Sequence, residues 1–501
     1  MQGNAIFLDK AAPQAAQAAA ESALAAKAMA KGRIRVIAGL KVNMRPPHEL
    51  SEASAAQQER SLRAAQNAAI SRALGAAAPE ASISLFDTVP FVAMNVTLEQ
   101  LSRLLSDPAV ISVQEDIAVP PALTQSVPFI NANAVWAAGF PGAGITVAIL
   151  DTGVDKTHDM FPGNKIVSEA CYSSNVPGQS SSVCPGGVSS SVASGSGVNC
   201  ALAISGCSHG THVAGIAAGN MASPLLRGVA KNARILAIQV FSRFNSPADC
   251  SPRPAPCVLS FTSDQIKGLE RVYALRSRFT IAAANMSLGG GQFFSPCDSE
   301  SPALKAVIDL LRGVRIATVI ASGNNGFNSA IGSPACISSA IAVGSTLDTA
   351  NVLSSFSNHS PKVRLLAPGS NILSSVPPGL KTTAIFDGTS MAAPHVTGAF
   401  ALLRNVKEQS TVDDIAAALE CTGVPVTRAG ITKPRIDVNA ARLYLTNPPN
   451  TKRTFTFNSP AQAASWTPVT GTWAVNTASP GTYDVSTSPP SPRMLSMLPD
   501  C

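Results

Sequence analysis

Residues 145–155 read ITVAILDTGVD. The first six form a run of apolar and β-branched residues of strand length, and the run stops at Asp151-Thr152-Gly153. Such a run without alternation marks a strand buried on both faces, as in a parallel sheet covered by helices. Asp151 then sits at the carboxyl edge of that sheet, where open α/β sheets gather ligands and chemistry. A lone Asp-Thr-Gly at a strand end is common, so the case for chemistry depends on what accompanies it.

Four further segments do. HGTHVAG occupies 209–215, and small residues continue to Ala218 before Gly219. Small side chains let a helix pack closely, and the glycine is a natural stop. GTSMAAPHVTG occupies 388–398, where Ser390 precedes an apolar stretch reaching Leu403. The hydroxyl therefore falls at a helix N-terminus, whose free backbone N–H groups favour developing negative charge. Pro394 lacks the N–H that would bond the carbonyl of residue 390, a loss suited to the first turns. ASGNNG at 321–326 follows the apolar residues 316–320, and NMSLGG fills 285–290. Plainer roles exist for each: Gly-Thr-Ser caps any helix, and His209 with His212 would suit a metal, although no third ligand accompanies them. His158, His359 and His395 read as structural or surface residues, and His48 lies outside the region of the motifs.

Taken in order, with an Asp, a His and a Ser in these surroundings, the segments resemble the subtilisin-like serine proteases. The resemblance implies an α/β fold with a mostly parallel sheet flanked by helices, and peptide-bond hydrolysis through an acyl-enzyme. Asp151 would orient and stabilise His209, which would take the proton of Ser390 and pass it to the leaving amine. The side-chain amide of Asn324 and the backbone N–H of Ser390 would hold the tetrahedral oxyanion. Losing such a side-chain donor costs on the order of 10²–10³ in rate, a figure that comes from subtilisin itself. Ser287, Leu288 and Gly289, with Ala321, Ser322 and Gly323, match the segments along which an extended substrate adds as a strand. The partners implied are protein or peptide substrates, acted on by a monomer. The alternative of a different class is a catalytically inactive binding protein on the same fold. Many relatives bind calcium through residues whose positions hold Met160 and Ala222 here. Hard cations need oxygen ligands, so that site is expected to be absent unless Asp159, one residue out of register, replaces it. No metal or cofactor is required by the triad chemistry, and calcium at another site stays open.

Composition bounds the rest. The 501 residues are 46% hydrophobic and 13% charged, as in a globular chain with a large core, and the length suits roughly three domains. The net charge of +7 is spread without a block of Lys or Arg, which speaks against nucleic acid or membrane surfaces as partners. Nine of the ten cysteines fall between residues 121 and 445. Cys171 with Cys184, Cys200 with Cys207 and Cys250 with Cys257 are near neighbours, and Cys297 with Cys336 would make a longer bridge. None forms a CxxC pair, so disulfides in an oxidising, extracellular compartment are expected. Residues 1–31 lack the apolar core of a signal peptide, and a trimmed leader reconciles this with export.

Residues 1–32 are Ala-rich. Within 33–119, a strand-like run at 33–42, a polar helix at 49–74, strand-like residues at 82–96 and extended structure at 110–113 make a small α+β pattern. Thr97 and Gln100 form a capping box for a short helix to Leu105. The unit is similar to the family's inhibitor-type propeptides, which implies a zymogen cut somewhere between Asp116 and Gln125, within or just before the proline-marked linker 120–126. The peptidase domain is read as 121–445, with disulfide-tied insertions at 167–208 and 241–261. Beyond it, 446–501 is expected to be a Pro/Ser/Thr-rich linker followed by a truncated β-sandwich module or a disordered tail, with strands at 454–457 and 473–475 and with Trp466 and the Gly471-Thr472-Trp473 stretch as the opening of such a module.

Overall fold

The computed structural model describes residues 6–45, 50–75, 83–116, 118–119, 126–222, 226–378, 382–447, 453–456 and 482–485. Its largest sheet has ten strands in the order Ser190–Ser191, Ile166–Tyr172, Arg234–Gln239, Ile145–Asp151, Thr280–Met286, Ala317–Ala321, Ile341–Thr346, Leu365–Pro368, Ile431–Arg435 and Val424–Arg428. The pairs at the two ends are antiparallel. All pairs between them are parallel.

The unalternated run at 145–150 has a direct cause. Val147 and Ile149 point into one buried layer and Ala148 and Leu150 into the other, so both faces of the strand need apolar residues. Helices His209–Ala218, Thr389–Val406 and Val412–Thr422 fill the first layer. Helices Thr262–Ala274 and Pro302–Gly313 fill the second. Among the described residues no helix is long and apolar enough to cross a membrane.

The N-terminal unit is a five-stranded antiparallel sheet in the order Phe7–Asp9, Val110–Glu115, Ile34–Leu40, Phe91–Val96 and Ile83–Leu85. The capping box at Thr97 is present and opens helix Leu98–Ser106. Residues 83–96 form two strands joined by a turn rather than one, and the polar helix starts at Glu52 behind an N-cap at Ser51. A division at residue 32 does not separate two bodies. Strand Phe7–Asp9 and helix Gln14–Lys31 share the core of the unit through Leu8, Leu24 and Ala28. Lys27 also pairs with Glu115 at 2.8 Å.

One face of this sheet carries Val36, Ala38, Val92 and Met94 against its own helices. The other carries Ile37, Phe91 and Ala93 into the same cluster as Ile266, Leu269 and Val272 of helix Thr262–Ala274. Polar contacts fix the seat. Asp116 Oδ1 accepts from Ser263 N at 3.2 Å, and Oδ2 accepts from Ser263 Oγ at 2.6 Å and Arg35 Nε at 2.7 Å. The carboxylate thus caps the start of that helix, where unpaired N–H groups favour an anion. Further along, Glu270 Oε1 accepts from Asp87 N at 2.8 Å and from Thr88 N and Thr88 Oγ1 at 2.7 Å. Burial pushes the Glu270 carboxyl up to about 7. The strand Ala118–Val119 then pairs antiparallel with Cys257–Phe261, so the unit ends by adding a strand to the large domain.

Four disulfides join described residues: Cys171–Cys184, Cys200–Cys207, Cys250–Cys257 and Cys297–Cys336. The first insertion begins later than its composition indicated, because Ile166–Tyr172 is a strand of the large sheet. Arg453–Thr456 pairs antiparallel with Thr482–Val485. The other C-terminal candidates, Trp466 and Trp473 among them, lie outside the described residues, as does the linker at 120–125.

In the chain-entropy model a bridge contributes roughly 2.5 kcal/mol for a loop of about eight residues and about 4 kcal/mol for one of about forty. Mass spectrometry of the unreduced protein is expected to find these four pairs. Replacing Cys297 and Cys336 by Ser should lower the melting temperature more than replacing Cys250 and Cys257. The reverse order would show that native-state packing of the short loop, rather than loop closure, dominates.

Candidate active site

Asp151 is the last residue of its strand and has no solvent exposure. Its Oδ1 accepts from Thr152 N at 2.7 Å and from His209 Nδ1 at 2.6 Å. A carboxylate only accepts, so the imidazole carries its proton on Nδ1 and Nε2 is the basic nitrogen. The approach is close because the next residue is glycine. A Cβ on Gly210 would lie 2.3 Å from Gly153 O and 3.1 Å from Asp151 Oδ1.

Ser390 is the second residue of helix Thr389–Val406 and is almost wholly buried. Pro394 sits inside the helix and cannot donate to Ser390 O; Ser287 Oγ donates to that carbonyl instead, at 2.6 Å. Ser287 in turn accepts from Asn285 Nδ2 at 2.8 Å, and Asn285 Oδ1 accepts from Thr397 Oγ1 at 3.0 Å. A chain of hydrogen bonds thereby replaces the missing helical one and ties the serine turn to the end of strand Thr280–Met286.

Asn324 follows strand Ala317–Ala321. Its Oδ1 accepts from Thr389 N at 2.9 Å and from Thr389 Oγ1 at 2.8 Å, one residue before Ser390. Thr389 thus holds the carbonyl end of the carboxamide and not its donor end, Nδ2. Gly323 N also donates to Thr389 Oγ1, at 3.1 Å. Gly323 has φ +105, which few side chains tolerate, and a Cβ there would lie 2.4 Å from Asn358 Nδ2.

The two segments expected to line the substrate leave adjacent parallel strands, paired Met286 to Ile320. Ser287, Leu288, Ala321 and Ser322 are buried, and the Ser287 and Ser322 hydroxyls are turned inward onto Ser390 O and Asn358 O. What these segments present to the surface is backbone, with Gly289 and Gly323 partly exposed. Asn358 was not among the sequence candidates, although it contacts this loop more than any of them. Its only local signal is an Asn within the Ser-rich residues 354–360.

The other histidines among the described residues are buried with specific partners. His395 Nε2 accepts from Ser126 N at 2.7 Å and Nδ1 donates to Met391 O at 2.7 Å, a neutral ring that burial pushes down to about 4. His212 Nε2 donates to Ala384 O at 3.0 Å, packs on Phe386 with centroids 4.5 Å apart, and is pushed down to about 3 by burial. His158 Nε2 donates to Thr382 O at 2.8 Å and His359 Nε2 to Ile431 O at 3.0 Å. Met160 is buried, with its thioether against Gly215 and Gly219. Among the described residues no three His, Cys, Asp or Glu side chains converge as metal ligands.

The His395 geometry has a consequence for stability. Its folded-state value near 4 lies below the ordinary value of about 6.5. Between these pH values the unfolded chain takes up a proton that the folded chain does not, so stability falls as pH drops through the window. His395→Gln, studied with Ser390→Ala to prevent digestion, should melt below its parent at pH 7, and the gap should narrow toward pH 4. A gap that stays constant would contradict a buried neutral ring.

Residues 142–440 match the Subtilase family. The chain is 32% identical over 350 residues to the alkaline protease of Alkalihalobacillus alcalophilus, covering 68% of this chain and 77% of that one. To subtilisin E of Bacillus subtilis (strain 168) it is 31% identical over 344 residues, or 67% of this chain and 76% of the other. To alkaline serine exoprotease A of Vibrio alginolyticus it is 32% identical over 372 residues, or 70% and 59%. A family match over more than half the chain, with named proteases aligned through most of their length, identifies the chain as a member of the subtilase family and as a serine endopeptidase.

Proposed function

We propose that Asp151, His209 and Ser390 are the catalytic triad of an endopeptidase that processes itself. The observation that carries this is the 2.6 Å hydrogen bond from His209 Nδ1 to the fully buried Asp151. It leaves Nε2 basic while Ser390 opens a helix whose N–H groups favour an anion. His209 takes the proton of the Ser390 hydroxyl as Oγ attacks the scissile carbonyl, then delivers it to the leaving amine. Water reverses the sequence on the acyl-enzyme. Asn324 Nδ2 and Ser390 N–H hold the oxyanion. Substrates are protein or peptide chains bound as an added strand along 287–289 and 321–323, and no cofactor enters the chemistry.

The N-terminal unit, residues 6–119, is read as an intramolecular inhibitor. In support, it seats on helix Thr262–Ala274 through Asp116 and Glu270 and ends in a strand paired with Cys257–Phe261. Ser126 is held on His395, so the connection between unit and peptidase spans few residues. An extracellular, monomeric enzyme is the assignment that fits the bridged insertions.

Ser390→Ala is expected to keep the fold, as read by near-ultraviolet circular dichroism, to lose peptide hydrolysis, and to accumulate as an uncut precursor. A purified variant that still shortens itself would sink the nucleophile assignment. Asn324→Ala should lower kcat by ~10²–10³ with little change in KM, the magnitude again being that of subtilisin.

A further inference from the structure

Asn358 is fully buried, and its side-chain hydrogen bonds end on the loop that carries Asn324. Its Nδ2 donates to Ser322 O at 3.1 Å and to Asn325 Oδ1 at 3.2 Å. Its Oδ1 accepts from Asn325 N at 2.9 Å and from Phe327 N at 3.2 Å. The backbone joins in: Asn358 N donates to Gly323 O at 2.9 Å, and Asn358 O accepts from Ser322 Oγ at 3.0 Å. The peptide units on both sides of Asn324 are therefore pinned by one residue, which itself has no bond to Asn324.

The packing is as tight as the bonding. The Asn358 carboxamide occupies the space beside Gly323 in which a Cβ would stand 2.4 Å from Nδ2, so a shift of the amide passes directly to the Gly323 backbone. Thr389 grips only the carbonyl end of the Asn324 side chain. Where Nδ2 points then depends on two anchors, Thr389 at the side chain and Asn358 at the backbone. Oxyanion stabilisation needs donors preorganised at the position the oxygen will occupy, and a misplacement of about 1 Å costs on the order of 10²-fold.

We propose that Asn358 is a positioning residue for the reaction, holding the loop so that Asn324 Nδ2 meets the oxyanion without reorganisation. This rests on the assignment of Asn324 as oxyanion donor. A carboxylate at 358 keeps the two accepted bonds but cannot, as an anion, donate to Ser322 O and Asn325 Oδ1, whereas serine removes the carboxamide altogether.

The test is a cycle on the processed enzyme with Asn358→Asp, Asn358→Ser, Asn324→Ala and the two double variants, using one peptide substrate. Each Asn358 variant should lower kcat by roughly 10- to 100-fold with KM within about threefold. In the Asn324→Ala background the same substitutions should change kcat by less than about threefold, because the group they position is gone. Equal fold-losses in both backgrounds would overturn the proposal, since Asn358 would then act without Asn324. Failure of both Asn358 variants to fold would overturn it too, making the residue a determinant of the fold. An unchanged kcat in Asn324→Ala alone would instead remove the oxyanion assignment, and the proposal with it.

Discussion

A carboxylate without solvent, at the end of a strand flanked by parallel neighbours, has few ways to be satisfied, and the site is organised around how Asp151 is. Burying such a group is costly unless hydrogen bonds replace its water. Here Oδ2 has no partner among the described residues, and the replacements, both on Oδ1, are the next backbone N–H and the His209 ring. The second forces a helix to begin against the sheet edge, which only glycine at 210 permits. That helix packs beside the one carrying Ser390, and both are buried throughout most of their length. One electrostatic requirement at residue 151 thus fixes a strand end and a helix start, and packing carries the constraint to a second helix.

The serine turn depends on a comparable exchange. Pro394 removes a helical donor at the point where the Ser390 carbonyl needs one, and the Ser287 hydroxyl fills the position. Ser287 and Ser390 are 103 residues apart. The vacancy was legible in the sequence, whereas the residue that fills it was not, because nothing local to Ser287 records a partner so distant.

The same division holds across the molecule. The strand at 145–151, the helix beginning at His209, the turn at Asn324 and the helix at Ser390 could be read because each motif carries its own cause: apolar runs, small residues, stops and caps within a few positions. The neighbouring cysteines were legible for the same reason. Asn358 was not, since its partners lie more than thirty residues away and an isolated Asn resembles any loop residue. Helix Gln14–Lys31 was not legible because alanine supplies little contrast between buried and exposed faces, and strand Phe7–Asp9 is too short to show a period. In the N-terminal sheet, Ile37, Phe91 and Ala93 meet the large domain, a burial that only the docked arrangement creates.

The short bridges have a meaning that belongs to the population of molecules rather than to one. An endopeptidase in solution is surrounded by copies of itself, and its surface loops compete with every other chain for the cleft. A chain that binds as an added strand must be extended, and seven residues so extended would span roughly 23–25 Å. The segments closed by Cys200–Cys207 and Cys250–Cys257 each cover a separation of 7 residues with Cα ends 5.2 and 5.7 Å apart. Segments held that way cannot be drawn out into a neighbour's cleft. In the proposed binding mode the cross-links would therefore keep the exposed residues between these cysteines from autolysis, a protection that no increase in equilibrium stability elsewhere in the fold would supply.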